Sequence, residues 1–371
     1  SCLDKDIGAD EFVNLCEELD IKYVIINKSI PKKLINLTSI IRVLDTNNSD
    51  DYEEKLIYTK KSIDDPALIL FTSGSTGMPK GVVHSLRTLQ IKWEILQNYV
   101  SLDICKNTLC PLPTHFGHGL ICNSLYPLVH GKHIVLLPKS DIKNLINLSE
   151  IIDKYEISFI SSVAAMWRIV LRICPPPKKN TLKQVNIGSA PLGVDLWKLV
   201  QKWSGTKQVW NVYGITETGS WVAGPVAGDD SELVDGLIGR GWGAEIMITN
   251  TTNMSSLSNA ENISLPLGEK GHIWIRTPCI MHRYWNNEKE TKQVVQGSWF
   301  YTGDIGMLDD CGRLILTGRE RNEINKGGAK VSPEELDLVI EKHPAINEAC
   351  AFAYNDKILG EDIGVCVVFN E

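Results

Sequence analysis

The segment Thr72-Ser73-Gly74-Ser75-Thr76-Gly77-Met78-Pro79-Lys80-Gly81 constrains this chain more than any other. It follows an apolar run, Ala67-Leu68-Ile69-Leu70-Phe71, of a length suited to a buried strand, and it leads toward a helical pattern from about Ser85 to Tyr99. Glycine lets other groups come close to the backbone, Ser and Thr offer hydroxyl donors, and Lys80 adds a cation. Together these suit a polyphosphate. No G-x-x-x-x-G-K-[ST] spacing passes through the segment, so it is not a P-loop. A flexible Ser/Gly linker would have no reason to follow an apolar strand and run through Pro-Lys-Gly into a helix.

Strands and helices alternate around this turn. A helical pattern (Ala9 to Leu19) and a short strand (Tyr23 to Ile26) open the chain, and a polar loop follows at Asn47 to Asp51. Further strands are expected at Ile134 to Leu137, Ile157 to Ile160 and Val185 to Ile187, and Pro175 to Lys179 reads as a loop. After residue 235 come Gly-rich strands, a polar stretch from Asn250 to Ser264 and a strand at His272 to Arg276. Beyond Arg321 a helix (Pro333 to Glu341) precedes strands at Ala349 to Tyr354 and Ile363 to Phe369. The expected fold class is α/β. A large N-terminal domain of mixed, mostly parallel sheets with flanking helices spans 1–235, a β-rich lobe of it 236–320, and a partial small α+β C-terminal domain 321–371.

Charge and cysteine usage exclude several classes. Lys and Arg number 38 against 45 Asp and Glu, a net charge of −7, which gives neither a nucleic-acid footprint nor a polybasic membrane anchor. No uncharged apolar run is long enough to span a bilayer and no signal-like start is present, so a cytoplasmic protein is expected. The chain opens on Ser-Cys-Leu and stops on a strand-like run, and so reads as part of a longer parent. Its ten cysteines are scattered without a Cys-x-x-Cys pair, and several sit in apolar runs such as Gly364 to Val368; they read as buried reduced thiols. Cys105, Cys110, His115 and His118 superficially invite zinc, but the pairs stand only four residues apart and Pro111 and Pro113 hold the chain extended there.

The turn at Thr72 to Gly81 resembles the T-S-G-[ST]-[TS]-G-x-P-K-G signature of the adenylate-forming superfamily, which holds acyl- and aryl-CoA ligases, peptide-synthetase adenylation domains and luciferases. Further matches follow in order, and the resemblance runs from about residue 65 to 369. It implies that Thr72, Ser73, Gly74, Ser75, Thr76, Gly77 and Lys80 cradle phosphates, and that Gly188, Ser189, Ala190 and Pro191 form an adenine-contact turn. In Asn211-Val212-Tyr213-Gly214-Ile215-Thr216-Glu217 it implies that Tyr213 stacks on adenine, Thr216 bonds the α-phosphate and Glu217 helps hold Mg²⁺. An aromatic face, a hydroxyl and a hard oxygen ligand fit those tasks, although locally the segment also reads as a surface turn. Asp304 is implied at the ribose hydroxyls and Arg319 at ribose or phosphate; a buried structural Asp–Arg pair is the plainer alternative. His115 is implied as the active-site histidine near the acyl carboxylate, with Phe116 beside it. The loop from Lys326 to Glu335 would border a pantetheine channel, and Arg321 falls at the interdomain hinge.

These parts imply ATP- and Mg²⁺-dependent activation of a small-molecule carboxylic acid to acyl-AMP, with Lys80, Glu217, His115 and Thr216 catalytic. Transfer to the thiol of CoA or of a carrier protein's phosphopantetheine would follow. Gly117 stands where amino-acid-activating relatives place an Asp, so an acyl or aryl acid is expected in a pocket that also uses Val163 to Trp167 and Gly219 to Val222. Relatives end with a catalytic lysine that this chain stops short of; Lys326 and Lys330 are not its substitutes by position. Two alternatives stay open: a nucleotide-binding module that acts through a partner, and transfer to an amine.

Overall fold

The computed structural model describes residues 12, 16, 23–26, 42–45, 62–72, 80–137, 141–190, 192–228, 232–253, 264–326, 329–356 and 360–370. The chain divides into two compact units, residues 1–62 and 63–371. In the first, Tyr23–Ile26 pairs in parallel with Arg42–Asp45.

The second unit is built on a 12-stranded mixed sheet. Its parallel block runs, in spatial order, Val209–Ile215, Gln184–Gly188, Phe159–Val163, Asn107–Cys110 and His133–Leu136. The alternation of apolar strands with amphipathic helices dictates this arrangement, since each crossover helix must bury its apolar stripe on the sheet. Helices Leu148–Tyr155, Ala164–Ile173 and Val194–Ser204 bury Ile152, Trp167, Val170, Trp197, Val200 and Trp203 in one core. The indoles there satisfy their N–H groups. Trp167 donates to Ser162 Oγ (2.7 Å), Trp197 to the Val209 carbonyl (2.7 Å) and Trp203 to the Cys174 carbonyl (2.8 Å).

From Val209–Ile215 the sheet continues antiparallel through Ser220–Gly224, Leu237–Gly241, Leu314–Arg319, Trp299–Leu308, Gly271–Arg276 and Glu245–Thr249. The strands read from sequence as a β-rich lobe thus hydrogen-bond onward from the parallel block. Two smaller sheets complete the unit. Pro66–Thr72, Lys80–Ser85 and Arg283–Tyr284 form one, antiparallel throughout, so a second strand separates the Gly/Ser/Thr turn from its helix, Leu86–Leu96. Ser85 caps that helix by accepting from the Thr88 N–H. Ala329–Val331, Ile324–Lys326, Gly360–Phe369 and Ile346–Asp356 form the other, with helix Pro333–Ile340 against it.

Cys105, Cys110, Cys122, Cys174 and Cys279 are buried free thiols, as expected. Cys366 is not buried. It lies directly opposite Cys350 in the hairpin, and both are exposed. Side chains alternate faces along a strand: Ala351 is buried and its N–H donates to Asp337 of the covering helix, so its neighbour Cys350 points to the other face. No helix among the described residues is long and apolar enough to cross a membrane.

Candidate functional site

A cavity of about 970 Å³ opens at the carboxyl ends of the parallel strands. Leu112, Val163, Ser189 and Thr216, which line it, each stand at or just beyond the end of a different strand. Crevices of this kind are where open α/β sheets bind ligands. Two of the four non-glycine residues with positive φ among the described residues, Ser189 (67°) and Ser220 (71°), are in its wall. Gly214 is there because nothing larger fits: a Cβ would stand 2.1 Å from the Ser220 carbonyl oxygen across the strand pair.

One part of the wall is charged. Lys80 forms an ion pair with Glu290, whose other oxygen accepts from Asn287 Nδ2 at 3.0 Å. The Lys80 ammonium also lies 5.6 Å from the centre of the Tyr284 ring. The Tyr284 hydroxyl donates to Glu217 Oε1 at 2.6 Å; burial, reinforced by that carboxylate, holds the phenol far above its usual range. Arg319 Nε meets Asp304 Oδ1 at 2.7 Å, and the Tyr213 hydroxyl donates to Asp304 Oδ2 at 2.5 Å. Burial raises the Asp304 pKa against the pull of Arg319 and Tyr213. The Thr216 backbone is fixed from beneath by His84, whose Nε2 is 2.8 Å from its carbonyl oxygen.

The other part is neutral. Phe116 (55% exposed) projects toward the opening, and a Cβ added at Gly117 would stand in ordinary contact with Leu70, Ser220 and the Thr216 backbone. A π-helix, His118–Leu125, starts here and turns the His118 ring into the wall. His118 Nε2 lies 2.6 Å from Ser161 Oγ and Nδ1 lies 3.2 Å from Ser189 Oγ, with the ring edge-on to Trp221 at 5.4 Å. Burial pulls the His118 pKa down to about 4. Behind the wall, the fully buried Lys92 donates to the Trp221 carbonyl at 2.6 Å, and Cys122 Sγ contacts the Gly219 carbonyl at 3.7 Å.

Of the residues expected at the site, Thr72, Lys80, Ser189, Gly214, Thr216, Glu217 and Arg319 line the cavity. Asp304 and Tyr213 stand just behind it, buried and bonded to one another. Gly188 ends its strand beside His118, with Ala190 exposed two residues on; Asn211 is buried and donates to the Leu237 carbonyl at 2.8 Å. Ser73, Gly74, Ser75, Thr76, Gly77 and Pro191, and the side chains of Arg321 and Lys330, lie outside the described residues. His115 is not in the cavity wall; it stacks at a tilt on Phe116, 4.2 Å between ring centres, and His118 is the histidine that faces inward. Cys105, Cys110, His115 and His118 form no metal-binding group among the described residues. Glu290 and Tyr284 went unanticipated. Asn287, three residues before Glu290, is the capping-box signal that marks a helix start there: it accepts from the Glu290 N–H at 3.1 Å.

The family model for AMP-binding enzymes matches residues 1–285. The chain belongs to the AMP-binding enzyme family. Within it, the chain is 29% identical over 332 residues to an oxalate–CoA ligase of Arabidopsis thaliana, covering 89% of this chain and 62% of that one. It is 30% identical over 321 residues to a probable 4-coumarate–CoA ligase of Dictyostelium discoideum, covering 85% and 55%. The chain therefore spans somewhat more than half the length of these AMP-binding relatives. The o-succinylbenzoate CoA synthetase of Bacillus subtilis, solved with its acyl-adenylate intermediate, shares the fold: TM-score 0.83 at 23% identity over 100% of this chain and 73% of that one.

Proposed function

We propose that this chain is the nucleotide- and acid-binding part of an ATP-dependent ligase, one that joins a carboxylic acid to a thiol through an acyl-adenylate. The observation that carries the reading is the single cavity wall in which Lys80, Thr216, Glu217 and Arg319 converge on the ends of parallel strands. The names of the relatives, which include oxalate–CoA and 4-coumarate–CoA ligases, point the same way. The acid's carboxylate oxygen attacks the ATP α-phosphorus, the bond from that phosphorus to the bridging oxygen breaks, and pyrophosphate leaves. A thiol, of CoA or of a carrier protein's phosphopantetheine, then takes the acyl group and releases AMP. Positioning and charge stabilisation account for the catalysis.

Each residue's task follows from its place. Lys80 offsets phosphate charge after exchanging Glu290 for the nucleotide. Thr216 offers its hydroxyl to the α-phosphate from a backbone that His84 holds still. Asp304 reaches the ribose only when Arg319 gives up part of its ion pair; Tyr213, buried just behind the wall, would have to come forward to offer its aromatic face to the base. Glu217 suits Mg²⁺: it is a carboxylate in the cavity wall and forms no ion pair among the described residues. The ion bound there would neutralise phosphate charge. His118 takes the position expected for His115 beside the acid. The buried free thiols are consistent with a cytoplasmic location, and the separate four-stranded sheet after residue 321 supports the proposed boundary at 320, whereas one sheet runs across residue 235.

Isothermal titration of the 371-residue chain with AMP and Mg·ATP tests the reading. Both should bind, and Lys80→Ala and Glu217→Gln should weaken Mg·ATP more than AMP. Absence of binding, or binding indifferent to both substitutions, refutes it. Acid-dependent pyrophosphate release by the full-length parent, with hydroxylamine trapping, tests the reaction itself.

A further inference from the structure

The cavity wall holds two cations among the described residues, Lys80 and Arg319, and each is already matched by a carboxylate, Glu290 and Asp304. Both belong to the charged part. Around His118 the wall is made of Phe116, Gly117, Val163, Ser189, Ser220 and Trp221, none of which carries charge. His118 does not supply one. Both ring nitrogens are engaged by serine hydroxyls, at 2.6 and 3.2 Å, and among the described residues no carboxylate lies within bonding distance to stabilise an imidazolium. Ser161 is fully buried, while Ser189 is exposed to the cavity from a left-handed backbone conformation. The three side chains form a neutral relay, Ser161–His118–Ser189, that ends on a hydroxyl able to donate or accept.

Resting on the acid-activating reading above, we infer that the chamber beside His118 selects acids whose tail is uncharged, largely apolar and equipped with one hydrogen-bonding group, and rejects dicarboxylic and amino acids. A second carboxylate placed there would lose its water and find no cation; an ammonium would find no carboxylate. An unpaired charge in such a place is strongly disfavoured. A hydroxyl or ether on the tail meets Ser189, whose own orientation His118 fixes. Phe116 and Trp221 supply flat apolar surface on which an aryl or unsaturated tail can lie. His118 is a specificity-determining residue in this scheme.

Non-hydrolysable acyl-sulfamoyl adenosines separate this inference from the function it rests on, because the adenosine part is constant and only the tail varies. Titrate the 371-residue chain with AMP and with analogues bearing benzoyl, 4-hydroxycinnamoyl, cinnamoyl, 3-carboxypropanoyl, butanoyl and glycyl tails. The neutral tails should bind tighter than AMP. The 3-carboxypropanoyl analogue should bind at least about 100-fold more weakly than butanoyl, its uncharged counterpart. The 4-hydroxycinnamoyl tail should exceed cinnamoyl by about 10-fold, a ratio falling toward one in His118→Phe. AMP binding together with charged tails that match neutral ones overturns the inference and leaves the function standing. Failure of AMP and every analogue to bind overturns both. A hydroxyl preference that survives intact in His118→Phe removes His118 from the reader.

Discussion

Mild acid should destabilise this protein through His84. The side chain is fully buried on Lys80–Ser85, with Nε2 2.8 Å from the Thr216 carbonyl oxygen and Nδ1 without a hydrogen-bond partner among the described residues. With Nε2 donating, Nδ1 is an acceptor; protonation would turn it into a buried donor facing nothing, with Lys92 adding repulsion. Burial accordingly pulls the His84 pKa from 6.5 to about 4. An unfolded chain takes up this proton near 6.5, so between that pH and about 4 the unfolded state binds more protons than the native one. The stabilisation is therefore complete above 6.5 and lost as pH falls toward 4, in total about 3 kcal/mol. Between about pH 7 and pH 5 the loss should be about 2 kcal/mol. Urea unfolding of wild type and of His84→Gln across that range isolates the effect, because every other titrating group is common to both, His118 included. Glutamine keeps an N–H for the Thr216 carbonyl. Wild-type stability should fall more steeply than the variant's by about that amount. Parallel curves would refute the argument.

Asp304→Ala leaves the buried Tyr213 hydroxyl without its acceptor, while Arg319, whose side chain is 42% exposed, can turn to water. The stability cost should be about 1–3 kcal/mol, read by thermal unfolding, and the same variant should bind AMP about 5- to 150-fold more weakly by titration; an unchanged affinity would remove Asp304 from the ribose. Glu290→Gln frees Lys80 from its ion pair and should tighten Mg·ATP binding by about 5-fold, whereas weaker binding would mean that Glu290 serves the nucleotide directly. Cys350 and Cys366, directly opposed and exposed, should close to a disulfide under oxidised glutathione, seen as the loss of two hydrogens by intact mass; opposed Cβ atoms in such a pair stand about 4.5–5.5 Å apart, close to bonding range. Cys350→Ser should abolish that change, and two thiols that persist in wild type after oxidation would show the pair to be misaligned.

Local signals made much of the fold legible. Apolar runs bounded by turns placed Pro66–Thr72 and Gln184–Gly188 within a residue or two, and the 3.6-residue period placed the helix after Ser85. The strand expected at Ile157 to Ile160 begins two residues later, at Phe159: the Ile157 N–H is still bonded to the Ile152 carbonyl of the preceding helical turn, and the Ser158 N–H is bonded to the Asn107 carbonyl. What sequence could not carry was adjacency between distant segments. Nothing near Lys80 announces Glu290, 210 residues away, and nothing near Tyr213 fixes it on Asp304. The choice between His115 and His118 turned on a π-helix, whose extra residue per turn has no signature in apolar spacing. Helix Glu288–Val294 has no buried residue, so periodicity was silent there and the helix went unread; its asparagine cap was the local signal that could have marked it.

The anchoring of Trp221 by Lys92 bears on how this chamber can be re-engineered. The cavity wall at Trp221 hangs from a lysine on helix Leu86–Leu96 that also lies beside Gly219, where a Cβ would stand 3.2 Å from the lysine side chain. A shorter or uncharged residue at 92 would release the Trp221 carbonyl without altering any residue that lines the cavity. Libraries confined to cavity-lining positions would miss that route. Lys92, Cys122 and Cys279, packed together behind the wall, belong in them as levers that set chamber depth from outside.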